Sequence, residues 1–273
     1  MAMQGSLSSR RFRALAVSVA IGAAGCSHRP SAKARETARI SYDMGIAAFQ
    51  RGDGREALRA LLSAERLDAG LPEVHNALGL VYHALGKREQ ALAHYQRAVA
   101  LRPTFSEARN NCGVLLLDLS RYDEAIAAFR AALANMLYNS PVLAEGNLGW
   151  ACYKKGDTAA AKEHLYGALS SDPQFCRGYQ WLMRIAIDAD DAPEALLLSA
   201  RCARHCGDDR QLAHPVGDDF RRDIDHMAAL AHLRLGHDQE ARALLLRCAG
   251  ALADEAKADG AQARCRASLS ALP

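Results

Sequence analysis

The stretch Asn147-Leu148-Gly149-Trp150-Ala151-Cys152-Tyr153-Lys154-Lys155-Gly156-Asp157 sets the plan of the whole chain. It reads as a helix that runs into a glycine turn. Twelve residues after Gly149 stands Ala161, seven further on Ala168, and Asp172-Pro173 closes the unit. The same punctuation returns as Gly113, Ala125 and Ala132, as Gly79, Ala91, Ala98 and Pro103, and as Gly45, Ala57 and Ala64. Successive glycines lie 34, 34 and 36 residues apart, the two extra residues falling at Ser140-Pro141. Small residues so placed let the two helices of a hairpin, and the next hairpin, approach closely. Gly52, Gly86 and Gly156 supply the turns between them.

A period of 34 with this small-residue pattern resembles the tetratricopeptide repeat, two antiparallel helices per unit. The fold expected is all-α: a solenoid of about six helical hairpins with a C-terminal capping helix. The repeats are placed at 38–71, 72–105, 106–139, 142–175, 176–209 and 222–255, within an array covering 38–273. The second is the most regular. The third carries Ser120 where the turn glycine belongs. The fifth has Met183 in place of the packing glycine and Cys202 in an alanine slot. The sixth keeps Ala229, Gly236 and Ala241, with Cys248 in that slot. Asp208–Arg221, with Pro215-Val216-Gly217, is expected to be a loop. Residues 256–268 are expected to cover the open end, as solenoids need.

Composition agrees with close-packed helices, because 50% of residues are hydrophobic but only 6% aromatic. The net charge of +3 comes from Arg10, Arg11 and Arg13; without them basic and acidic side chains number 31 each. The basic balance therefore belongs to the leader, and no nucleic-acid partner is expected.

Residues 1–25 read as a lipoprotein signal peptide: a basic start, an apolar run from Ala14 to Ala24, and small residues before a cut. That run is too short to span a bilayer as a permanent helix. Ala23-Ala24-Gly25-Cys26 resembles the bacterial lipobox, which implies acylation of Cys26 and membrane lipid as a partner. Arg10-Arg11 leaves twin-arginine export open beside the general route. Residues 26–37 are read as the lipidated cysteine and a short polar tether.

An exported chain sits where disulfides persist. Seven of the eight cysteines remain beside Cys26, so at least one stays unpaired or pairs between molecules. Cys202 and Cys206, four apart on one helix, stand too far apart to bond each other. Cys176 opens a helix and Cys206 ends its partner, so this pair is the first candidate bridge. Cys248 with Cys265 is the second. Packing as small thiols is the alternative for Cys202 and Cys248.

No catalytic residues, metal ligands or cofactors are expected. Cys202, His205 and Cys206 offer three ligands at most, without the paired short spacings of zinc sites. No phosphate-cradling loop, HExxH or GxSxG occurs. The ten histidines are scattered; His83 and His94 are read as surface or satisfied core groups. With the packing glycine at position eight of each unit, position nine holds Ile46, Leu80, Val114 and Trp150. Position twelve holds Phe49, His83, Leu117 and Tyr153, and position five Tyr42, Asn76 and Asn110. An apolar, aromatic-edged stripe there suggests a groove for an amphipathic or extended peptide.

A lipobox followed by about six such repeats resembles the outer-membrane lipoproteins of type IV pilus biogenesis, the PilF/PilW/Tgl family. The residues that carry the likeness are Asn110-Asn111-Cys112-Gly113, Arg121-Tyr122-Asp123-Glu124-Ala125 with Phe129, Leu137-Tyr138-Asn139-Ser140-Pro141 and Asn147-Leu148-Gly149. Gly149–Asp157 and Phe175-Cys176 look closest to the Tgl branch. The resemblance implies a pilotin, held in the outer membrane and facing the periplasm, whose groove holds secretin subunits until they assemble. Met183 and the cysteine-rich tail depart from the pattern. Two other readings stay open: a scaffold for peptidoglycan enzymes, and a thiol or metal carrier using Cys202, His205 and Cys206.

Overall fold

The structure, a computed structural model, describes residues 30–207, 217–250 and 260–272. The signal peptide, Cys26 and the start of the tether lie outside the described residues, as do 208–216 and 251–259. Thirteen helices are found among the described residues, and no strand. They form six antiparallel hairpins and a final helix: α1 (Ala32–Gln50) with α2 (Gly54–Leu67), α3 (Pro72–Ala84) with α4 (Arg88–Leu101), and α5 (Ser106–Asp118) with α6 (Tyr122–Leu133). Then come α7 (Pro141–Lys155) with α8 (Thr158–Ser171), α9 (Cys176–Asp188) with α10 (Ala192–Cys206), α11 (Gly217–Arg234) with α12 (Asp238–Ala249), and α13 (Gly260–Ser270).

Each hairpin turns on a residue in the left-handed region. Gly52, Gly86, Gly156 and Gly236 sit at φ of 81°, 71°, 99° and 73°. Ser120 and Asp190 adopt φ of 58° and 59° at the same place, where a side chain is strained. After the turn an aspartate restarts the chain in three hairpins: Asp53, Asp157 and Asp191 accept from the amides of Glu56, Ala160 and Glu194 at 3.0, 3.0 and 3.1 Å.

Packing within a hairpin follows one rule. A Cβ placed on Gly113 would lie 2.6 Å from the Phe129 ring, and one on Gly45 or Gly149 would strike Leu61 at 2.6 Å or Leu165 at 2.8 Å. Gly79 meets Tyr95 in the same manner. A bare backbone on the first helix thus receives a large side chain from the second, sixteen positions on, and Leu61, Tyr95, Phe129 and Leu165 are fully buried. In the fifth hairpin the volumes are exchanged: Met183 holds the glycine place, fully buried, and the matching place on α10 is Ser199.

Odd-numbered helices up to α9 stand side by side as one layer, with the even-numbered helices behind them. One continuous core runs from Ala91 to Ala231; the first hairpin shares a smaller core with α3, and α11, α12 and α13 share another.

Two boundaries differ from the sequence reading. Ala32–Thr37, assigned to the tether, are the first turns of α1, because the Ser31 hydroxyl accepts from the Ala34 amide at 3.1 Å and caps the helix there. Gly217–Arg221, assigned to a loop, are helical. The apolar spacing of α11 reaches back from Ala231, Ala228, Met227 and Ile224 to Phe220, which packs on the core.

Candidate functional site

Position-nine and position-twelve residues of the first four repeats lie on the facing layer, α1, α3, α5 and α7. Ile46, Leu80, Val114 and Trp150 are each half-buried against the core beneath, as are Phe49, Leu117 and Tyr153. They offer solvent an apolar edge and anchor it from below. In the fifth hairpin the stripe stops, since position nine there is Arg184 and position twelve, Ile187, is buried.

Polar groups along the layer are spent on neighbouring repeats. Asn111 donates to Asn76 Oδ1 and Asn147 to Asn110 Oδ1, each at 3.0 Å, joining position five of one repeat to position six of the next. Asn110 is buried, so it is a rung between helices and not a group presented to a partner, as the sequence reading had it. Two turns further on, His83 Nε2 meets Asp118 Oδ2 at 2.9 Å, and the Tyr153 hydroxyl donates to Asp188. Burial, then that bond, pushes the Tyr153 phenol up to about 12. These bridges tie α3 to α5 at two levels, and α5 to α7 and α7 to α9 at one level each.

The aromatic end of the stripe is larger than position nine alone discloses. Trp150 stacks flat on Trp181, 5.4 Å between centroids and 8° between planes, and these are the chain's two tryptophans. Tyr153 closes on the other side at 5.2 Å, and Phe175 meets Trp181 edge-on at 6.0 Å. At the opposite end, Tyr42 lines a hollow of about 330 Å³ with Arg39, Asp43, Leu71, Glu73 and Val74. Burial and the carboxylates of Glu73 and Asp43 raise the Tyr42 pKa. Met136 and Leu137 stand in solvent on the connection between the third and fourth repeats.

Cys176 and Cys206 are bonded with Cα atoms 5.8 Å apart, closing the fifth hairpin at its open end. Cys248 and Cys265 are bonded at 6.0 Å, holding α13 against α12. Cys206 is therefore committed, and Cys202, His205 and Cys206 do not form a ligand set. Cys112, Cys152 and Cys202 are free and buried. Burial pushes the Cys112 and Cys202 thiols up to about 11 and raises Cys152 as well. At about pH 8 iodoacetamide is expected to leave these three unmodified in the folded chain and to alkylate all three in denaturant, read by peptide mass spectrometry. The fold keeps each thiol protonated, so that contribution is complete below about pH 9 and is lost as pH rises toward about 11.

Sequence reasoning also missed a polar cluster behind the groove. Glu65, His75 and His94 bring one carboxylate oxygen and two ring nitrogens within 4.8 Å of one another. No spacing rule signals it, since the three residues sit on three helices.

A model of the tetratricopeptide repeat family matches residues 42–104, 76–141 and 113–174. The type IV pilus assembly protein PilF of Pseudomonas aeruginosa is 29% identical over 163 residues, 57% of this chain and 65% of that protein's length. Among solved structures, PilW, described as a widely conserved type IV pilus biogenesis factor, superposes with a TM-score of 0.68 at 22% identity, over 76% of this chain and 90% of that one. P. aeruginosa PilF superposes with a TM-score of 0.68 at 18% identity, over 86% and 99%. Period, hairpin packing and these matches agree: residues 42–174 are tetratricopeptide repeats, the described helices stack as a solenoid of such hairpins, and the aligned stretch is homologous to the type IV pilus assembly protein PilF.

Proposed function

We propose that this chain is a type IV pilus biogenesis factor of the pilotin kind, anchored in the outer membrane through acylated Cys26 and facing the periplasm. Its layer of first helices holds a segment of an unassembled secretin subunit. The homology to PilF supports the pathway. The observation that carries the docking role is the half-buried stripe Ile46, Leu80, Val114, Leu117 and Trp150, whose polar neighbours are already bonded to one another. A surface with an apolar edge and satisfied polar groups favours a partner that brings apolar side chains.

Trp150 also supports the fold through Trp181, so the test uses Leu80→Glu together with Leu117→Glu. Each charge would have to be desolvated by the partner. In cells that make this chain as their only pilotin, secretin monomer should persist while detergent-resistant multimer falls at least ~10-fold, a change worth about 1.4 kcal/mol. Leu197→Glu, on the exposed side of α10, should leave multimer unchanged. Normal multimer in the double variant, with the protein folded and membrane-bound, removes the docking reading.

A further inference from the structure

Glu65 lies near the end of α2, His75 in the first turn of α3 and His94 in the middle of α4. The two Nδ1 atoms are 3.2 Å apart, and Glu65 Oε1 lies 3.6 Å from that of His75 and 3.9 Å from that of His94. A circle through three points with those separations has a radius of about 2.1 Å, the length of a zinc–imidazole bond. A cation near its centre would touch all three donors with little movement of any.

The protonation of the cluster is set from outside. His75 Nε2 lies 3.0 Å from the carbonyl oxygen of Ala69, which can only accept, so the proton resides on Nε2 and Nδ1 presents a lone pair. A backbone carbonyl behind the ring is the usual support of a ligating histidine, since it fixes both tautomer and orientation. The His94 ring is held in turn by stacking on Tyr82 at 5.2 Å and 17°. His75 is buried, whereas the Glu65 and His94 side chains are 28% and 18% exposed, which leaves solvent an approach for a further ligand.

We propose that Glu65, His75 and His94 bind one divalent transition-metal ion of the zinc class, which fastens the first hairpin to the second. Two imidazoles and one carboxylate favour zinc, cobalt or nickel over magnesium and calcium, which take oxygen ligands. The ion would add its binding energy where the array is thinnest: the first hairpin contributes only Ala48, Ala57, Leu61 and Ala64 as buried residues to the small core it shares with α3. Three helices of two repeats would share one centre, so the effect should be on order at the N-terminal end, beside the hollow lined by Tyr42.

The test uses the full chain stripped by chelator and titrated with Zn²⁺ alone by calorimetry. One equivalent should bind tightly, and Zn²⁺ at a hundredfold excess over its Kd should raise the melting temperature by about 5 °C. Glu65→Gln and His94→Gln, each made singly, should weaken that binding at least ~100-fold while leaving the metal-free melting temperature within a degree or two. Glu65→Gln keeps shape and alters only one oxygen, so it remains informative should His94→Gln disturb packing. His232 and His237, whose Nδ1 atoms lie 3.3 Å apart without a carboxylate, supply the internal contrast. Absence of uptake at millimolar Zn²⁺, or uptake unaltered by Glu65→Gln, overturns the proposal.

Discussion

Replacing both Cys176 and Cys206 with alanine is expected to cost ~2–4 kcal/mol of stability, seen as an earlier first transition in denaturant. The bridge closes a loop with a sequence separation of 30 between the opening residue of α9 and the closing residue of α10. It therefore confines the unfolded hairpin to conformations in which both ends already meet. The fifth hairpin relies on this more than its neighbours do. It lacks the glycine-to-large-side-chain lock of the first four, and residues 208–216 separate it from the next helix. A solenoid is held by contacts between neighbours, so loosening one unit exposes the edges of those beside it. Cys265→Ala with Cys248→Ala should cost less than this pair, because that separation is 17 and α13 caps only the end. Equal midpoints for oxidised wild type and the Cys176/Cys206 variant would contradict this account.

The hairpins were legible because their signal is local and repeated. Glycine at position eight and alanine at the two later places recur within each unit, so four copies vote on one register. The Cys176–Cys206 pair followed from the same register, which places both residues at one end of a hairpin. Three features escaped for a common reason. The Asn76–Asn111 and Asn110–Asn147 rungs, the Trp150–Trp181 stack and the Glu65, His75 and His94 cluster all lie between units. Pairing across units depends on how far one helix is shifted against the next. The separation is 35 residues in one rung and 37 in the other because of the inserted Ser140-Pro141, while both rungs join position five to position six. Helix starts at Ala32 and Gly217 were missed differently: a serine cap in one case and a core-facing Phe220 in the other extended helices past the repeat boundary.

Gly113→Met with Phe129→Ser is expected to retain more stability than Phe129→Ser alone, because the pair reproduces the solution already present in the fifth hairpin. Phe129 is fully buried, and deleting its ring should cost ~3–5 kcal/mol. Gly113→Met alone drives a side chain into that ring, whose nearest carbon lies 2.6 Å from where Cβ would be; at least ~1–3 kcal/mol should be lost. Together the two changes move volume from the second helix to the first, as Met183 and Ser199 do, and replace a mid-helix glycine whose propensity cost is about 1 kcal/mol. The serine hydroxyl can return to a carbonyl one turn back along its own helix, so it need not be left unbonded. A double-mutant cycle by urea unfolding should therefore show favourable coupling of ~0.5–3 kcal/mol. The same cycle run backwards, Met183→Gly with Ser199→Phe, should show coupling of the same sign. Strict additivity in both hairpins would mean that glycine at position eight answers to the neighbouring repeat and not to the side chain sixteen positions on. The packing rule, and with it the reading of the fifth hairpin as an exchanged version of the others, would then fail.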